Sequence, residues 1–464
     1  LRQILLPLAL AQFICSFAGS NMNVMITDIS HDLDTTAQGV QIVITLFLLV
    51  MAALMIPGGK LTDRWGRKRC FTMGLTIYGI GAVLSAVAPN LGVLIVGNSI
   101  FEGVGTALLI PPVYILTTIL FRDLKGRARA FGLISAAGGI GAAMGPLLGG
   151  LITSAISWRA AFGFQAAMVV AIVLLARRIE DPLPADPDRP FDVVGAVLSA
   201  AGLILLVLGI LAADNDPTLM VVLLVVGAAI LAGFFAYIKR REREHKEVLL
   251  STQLFKSRTS NLGMVTQNIQ WLILMGASFT ISAYLQVVRG YDAIETGVIF
   301  TAETLGLLAS SLAAGRLAKR FEQRLLIVAG FVITIVGIVV LLVMVKSSST
   351  PWAFVPGLLL IGLGLGLMLT PSVNVVQSAF PESLQGEISG LSRSVSNLGS
   401  SLGTAVAGTI LVSDLASGKH AYAWAMGSLG LIGLLGLGAA ILLPRDEAPA
   451  IVPIDPRLQP GGAT

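Results

Sequence analysis

Two carboxylates stand alone in long apolar runs, Glu102 in SIFEGVGTALL and Glu303 in FTAETLG, and a lone cation, Arg393, sits in GLSRSVSNLG. A carboxyl held in hydrocarbon is costly when ionised, and is by default functional. One that takes up and releases a proton can tie proton movement to that of a competing cationic solute. Glu102 lies about eleven residues into its run, ~16 Å from the near end at 1.5 Å per residue, which is close to the centre of a bilayer. Two readings of it stand: proton coupling, or a permanently protonated carboxyl making one interhelical hydrogen bond. Glu303 sits at similar depth, on a face that lines either a central chamber or a wet vestibule. Arg393 is seven residues into its run, placed to snorkel to the aqueous side or to counter a carboxylate.

The elements that carry these residues follow from composition. Apolar residues make up 55% of the 464, charged residues 12%, and mean hydropathy is +0.85. So few charges cannot clothe a soluble protein of this size. The apolar runs are about twenty residues long, enough to cross ~30 Å of hydrocarbon as helix. They lack period-2 alternation, so helices rather than barrel strands satisfy the backbone in lipid. The 51 glycines suit close packing of such helices. The expected fold is an all-α polytopic membrane protein with 14 transmembrane helices, and charge leaves no room for a large soluble domain.

With the amino terminus in the cytoplasm, Lys and Arg fall on the cytoplasmic side in all but five cases. Arg159, Arg289, Lys346 and Lys419 lie opposite, and Arg393 lies within a helix. That is a strong positive-inside signal, with both termini cytoplasmic, and the compact loops suit a plasma (inner) membrane. It also disposes of nucleic-acid binding, because the basic residues are short loops on one membrane face. No Gly-rich phosphate loop ending in Lys-Ser/Thr is present, so the energy source is expected to be an ion gradient rather than ATP. His31, His245 and His420 are dispersed, and Cys15 and Cys70 are isolated. The expectation is therefore no metal site, no disulfide framework, no cofactor and no enzyme.

The chain repeats itself. GKLTDRWGRKR, from Gly59, returns worn as GRLAKRFEQRL from Gly315, and GVGTALLIPPV, from Gly103, answers to GLGLGLMLTPSV from Gly362. Residues 1–178 and 259–443 read as two six-helix halves. Residues 179–258 form an inserted pair of helices with cytoplasmic linkers, and 444–464 a disordered cytoplasmic tail. Repeated six-helix halves place a substrate site near the midplane between them.

GKLTDRWGRKR resembles the loop 2–3 signature of the major facilitator superfamily. GLISAAGGIGAAMGPLLGG, with Gly132, Gly141, Gly145, Pro146, Gly149 and Gly150, is similar to the helix 5 motif of its antiporters. YLQVVRGYDAIETGV, from Tyr284, resembles the helix 9–10 junction of the fourteen-helix drug:proton antiporter branch. The chain departs from the pattern at Ala18 and Thr27 in helix 1, and at Ser99 and Glu102 in helix 4. The resemblance implies a major facilitator fold and proton-coupled efflux of small amphipathic or cationic compounds by alternating access. Its partners would be a small-molecule substrate, protons and the lipid bilayer, and the protein would be a monomer. Alternatives are a dedicated exporter of one endogenous metabolite or lipid, and a non-transporting receptor-like scaffold.

The resemblance also assigns roles. Asp63 docks on the first turn of helix 13, near Gly386–Ile388, in the outward-open state, and Arg67 pairs with Asp123. Arg64 belongs to the same motif, while Gly59 and Gly66 supply tight turns and close backbone approach. Helices 1, 4, 9 and 12 surround a central cavity, so Asn21, Asn23, Phe101, Gln267, Asn268, Trp271, Asn374 and Gln377 become candidate lining. Interhelical hydrogen bonding explains any one of these polar residues equally well.

Overall fold

The computed structural model describes residues 2–445 except 122–123, 178, 180, 182–184, 189, 214–215, 319, 348–349, 381–383 and 413–418. Asp123 and almost all of the tail lie outside the described residues. The first six helices are α1 Ile4–Asp32, α2 Ala37–Trp65, α3 Arg67–Ala86, α4 Leu91–Thr117, α5 Leu124–Ala155 and α6 Trp158–Ala176. An inserted pair follows, α7 Val193–Ala212 and α8 Pro217–Arg243. The rest are α9 Arg258–Val288, α10 Ala293–Leu317, α11 Gln323–Ser347, α12 Pro351–Gln377, α13 Gln385–Val412 and α14 Lys419–Ile441. No strand occurs among the described residues.

Twelve of these helices are long and apolar enough to span a membrane. A thirteenth is α5, whose arms Ala136–Ala142 and Met144–Ala155 meet at 42°. Pro146 accounts for the bend, since its ring crowds the carbonyl four residues back, at Ala142. The remaining helix, α13, is 28 residues long, but it turns Ser392, Ser394, Ser396, Ser400 and Ser401 into the protein.

Local chemistry sets the helix boundaries. Thr36, Asn90, Ser157, Asp192, Asp216 and Ser257 each accept from a first-turn amide of the helix they precede. Asp292 and Glu295 form a reciprocal capping box on α10. Between α2 and α3 the chain turns through Gly66 at φ +93°, a conformation that side-chain-bearing residues resist. Gly59 differs from expectation. It lies within α2, where a Cβ would meet only Pro111 at 3.8 Å, and the close approach belongs to Gly58, against the Ala107 carbonyl of α4.

The sequence repeat is visible in the packing. In the first half α3 meets α4 through Gly74 against Gly105 and Gly81 against Gly97; in the second, α11 meets α12 through Gly330 against Gly364 and Gly337 against Gly357. A Cβ on Gly74, Gly81 or Gly330 would stand 2.6–2.8 Å from the facing carbonyl, so each pair of helices touches backbone to backbone.

Two seams join the halves, α2 along α13 and α5 along α10. The first is stitched along its length. Gln41 donates to the Thr404 and Ala405 carbonyls at 3.2 and 3.1 Å, Ser401 to the Thr45 carbonyl at 3.0 Å, and Ser394 to the Ala52 carbonyl at 2.5 Å. The inserted α7 covers this seam from outside, packing Val207 with Leu49 of α2 and Ala405 of α13, while α8 lies on α7.

Candidate transport site

A small cavity of about 60 Å³ lies between the halves, room for a few water molecules. Four helices line it. From the first half come Ser20 and Asn23 of α1 and Ala142 and Pro146 of α5; from the second come Ser278 and Ser282 of α9, and Phe300, Glu303 and Thr304 of α10. The spacing explains the grouping: 278 and 282 are one turn apart, and 300, 303 and 304 share one stripe of a helix. Glu303 is fixed from behind, because Gly362 of α12 packs directly on its carbonyl.

Glu303 is 5% exposed, and its Oε1 has no hydrogen-bond partner among the described residues; nor have Asn23 Oδ1 and Ser282 Oγ. Buried polar atoms without partners are rare and costly, and these three converge on one chamber. Among the described residues no Lys or Arg lines it. A cation entering this chamber meets one carboxyl and walls that are otherwise apolar or weakly polar.

Glu102 is turned elsewhere. Fully buried, it accepts from Asn98 Nδ2 at 3.2 Å and from Ser85 Oγ of α3 at 3.4 Å. About two turns before Ser85 on α3, Tyr78 donates its hydroxyl to Gln165 of α6. Glu102 therefore belongs to a polar network inside the first half, the interhelical hydrogen-bonding reading of the two, and is not among the residues lining this cavity. The reason is local. Ile95–Glu102 is π-helical, and its wider turn shifts the residues onto a different face from the one an unbroken α-helix gives.

Arg393 meets a tyrosine rather than a carboxylate among the described residues. Its guanidinium lies 4.8 Å from the Tyr114 ring centroid on α4 and donates to the Tyr114 hydroxyl, which donates in turn to Gln12 of α1 at 3.2 Å. A cation–π contact thus crosses from the second half to the first.

In the loop motif, Asp63 accepts from Arg67 at 2.8 Å, and Arg67 is buried. Arg64 donates to the Pro187 carbonyl at 3.1 Å. Lys60, three residues before Asp63, reaches the first turn of α13. Its Nζ lies 2.8 Å from Glu387 and 3.2 Å from Glu247 of the linker after α8. The outer end is closed. There Gln286 of α9 bonds both Asn23 and Thr27 of α1, and Ser154 of α5 accepts from the Ile294 amide of α10.

The helix 5 motif works on two faces. Gly141 and Gly145 meet Phe13 and Ser20 of α1, and Gly149 meets Asn21 at 3.1 Å. Offset from these, the Pro146 carbonyl meets Gly297, and Gly150 meets the Ala293 carbonyl, both on α10 of the other half. Gly132 lies within α5. One face packs the half together and the other forms the seam.

Of the eight cavity candidates, Asn23 lines the chamber. Asn21 is buried beside it with both amide atoms unpartnered among the described residues. Gln267 donates to Ser396 and accepts from Ser392, both at 2.9 Å, and Asn268 donates to the Val395 carbonyl at 2.9 Å, so these two bind α9 to α13. Gln377 ties α12 to α13 through Ser389 at 3.2 Å. Phe101 packs on Gly81 of α3, Trp271 against the core, and Asn374 is exposed. The hydroxyls Ser20, Ser278, Ser282 and Thr304 were missed; the stripe around Glu303 was the available signal.

Two repeat-related halves around a chamber with a lone carboxyl are an arrangement suited to membrane transport. The chain belongs to the Major Facilitator Superfamily, whose profile matches residues 8–404 and 263–459. It is 29% identical over 408 residues to puromycin resistance protein pur8 of Streptomyces alboniger, covering 86% of this chain and 80% of that protein. It is 29% identical over 410 residues to a probable actinorhodin transporter of Streptomyces coelicolor, covering 86% and 70%. To the multidrug efflux pump LfrA of Mycolicibacterium smegmatis it is 28% identical over 369 residues, covering 79% and 72%. Among solved structures, a peptide transporter bound to sulfate superposes with a TM-score of 0.69 at 16% identity, over 95% of this chain and 93% of that one, a likeness of fold.

Proposed function

We propose that this protein exports small amphipathic or cationic compounds across the plasma membrane in exchange for protons, by alternating access between its two halves. The observation that carries the reading is Glu303, an unpaired carboxyl in an inter-half chamber with mostly apolar walls. The names of the relatives, resistance proteins and efflux pumps, supply the direction and cargo class. When the chamber faces the cytoplasm, a cation displaces the Glu303 proton. When it faces outward, a proton displaces the cation, and the protonated carboxyl returns. Asp63 and Lys60 bias the cytoplasmic gate. The charge asymmetry of the loops supports a cytoplasmic location for both termini.

The test is a cationic dye trapped in proteoliposomes under an imposed pH gradient. Glu303→Gln is expected to abolish proton-driven uphill movement while leaving downhill exchange. Full uphill rate in that variant would overturn the assignment. A second reading, a dedicated exporter of one self-made compound, is favoured by the likeness to a probable actinorhodin transporter; a resistance profile confined to one chemical scaffold would support it.

A further inference from the structure

Helix α1 is not continuous. Its α-helical parts Arg2–Asn21 and Ile26–Asp32 are separated by a 3₁₀ segment, Met22–Met25. In an unbroken α-helix the Thr27 amide would bond the Asn23 carbonyl, four residues back. Here the carboxamide of Gln286 bonds both groups: Nε2 donates to the Asn23 carbonyl at 2.7 Å, and Oε1 accepts from the Thr27 amide at 3.1 Å. Gln286 belongs to α9, in the other half, and is 3% exposed. It lies in the π-helical stretch Tyr284–Val288 that ends α9.

We propose that Gln286 is the latch of the outer gate, a side chain spliced into the hydrogen-bond ladder of α1 from the opposite half. Two properties follow from the geometry. First, opening leaves no orphaned backbone in a medium where unsatisfied amides are expensive. When α9 withdraws, the Thr27 amide and the Asn23 carbonyl can close the direct helical bond, so α1 heals as the gate opens. That gives the gate two discrete arrangements rather than a continuum. Second, the latch sits on the transport chamber. Asn23 supplies both the latched carbonyl and part of the chamber wall, and Ser282, one turn before Gln286, lines the same space as Glu303. The inference rests on alternating access, but not on proton coupling or on any particular cargo.

The test reads outside access without requiring transport. Ser282→Cys is introduced with Cys15 and Cys70 replaced by alanine, and right-side-out vesicles are treated with a membrane-impermeant thiol reagent. The expected result of Gln286→Ala is labelling of the introduced thiol about tenfold faster than with Gln286 intact. Gln286→Glu keeps the size and the acceptor but loses the donor to Asn23, and is expected to give a smaller acceleration. It also keeps the proposal testable should the alanine variant fail to fold. Hydrogen exchange supplies a readout that a merely structural role would not move: the Thr27 amide stays protected in Gln286→Ala, because the direct bond replaces the latch. Unchanged labelling in both variants would overturn the proposal. So would faster labelling accompanied by rapid exchange of the whole 22–32 segment, since α1 would then be melting rather than healing.

Discussion

Lys60 offers a direct measure of what holds the cytoplasmic end together. Its ammonium lies 2.8 Å from Glu387 and 3.2 Å from Glu247, with the three side chains 16%, 25% and 33% exposed. Hydrogen bonds to charged groups contribute about 1.5–3 kcal/mol when buried, and exposed pairs about 0.2–1 kcal/mol. These partly screened contacts fall between, at about 1 kcal/mol each. Lys60→Met removes both and leaves two carboxylates near one another; Glu387 keeps the Ser251 amide at 3.2 Å. A loss of about 2 kcal/mol shifts the ratio of closed to open cytoplasmic ends roughly thirtyfold toward open, at about 1.4 kcal/mol per factor of ten. The assay is a pulsed EPR distance distribution between spin labels at Trp65 and Gly390, at the cytoplasmic ends of α2 and α13. High salt should mimic part of the effect in the native protein, because the contact is partly solvated. A distribution unchanged within about threefold in Lys60→Met would refute the reasoning and reduce Lys60 to a topological charge.

Substitutions at two further positions, Glu102 and Gly66, separate coupling from structural roles. Glu102→Gln is expected to keep proton-driven export near the native rate, whereas Glu102→Leu leaves Asn98 and Ser85 short of a partner and lowers stability by about 2 kcal/mol, read as detergent melting; loss of coupling in Glu102→Gln would return the proton role to Glu102. Gly66→Ala is expected to cost about 1–2 kcal/mol, because alanine resists the positive φ between α2 and α3, and thermal inactivation of the purified protein would show it as a lower midpoint.

Much of the architecture was legible. The repeat read from GKLTDRWGRKR and GRLAKRFEQRL reappears as matched glycine contacts, because backbone-to-backbone packing tolerates no side chain and so leaves a mark in the letters. The helix 5 motif was legible for the same reason. What the sequence could not supply was the direction in which polar side chains point. Glu102 and Glu303 look alike as lone acids in apolar runs, yet a π-helical turn rotates one into a half while the other faces the chamber. Gln267 and Asn268 carry the same amides as Asn23, but two buried serines and the Val395 carbonyl of α13 take them up, and pairing across 125 residues or more has no local signature.

The inserted pair makes the molecule lopsided. With α7 laid over the α2–α13 seam, that seam is shielded from the acyl chains on its outer side. On the opposite flank α5 packs directly on α10 through close glycine contacts, with no further helix laid over that seam among the described residues. A transporter assembled from near-equivalent halves thereby acquires a front and a back.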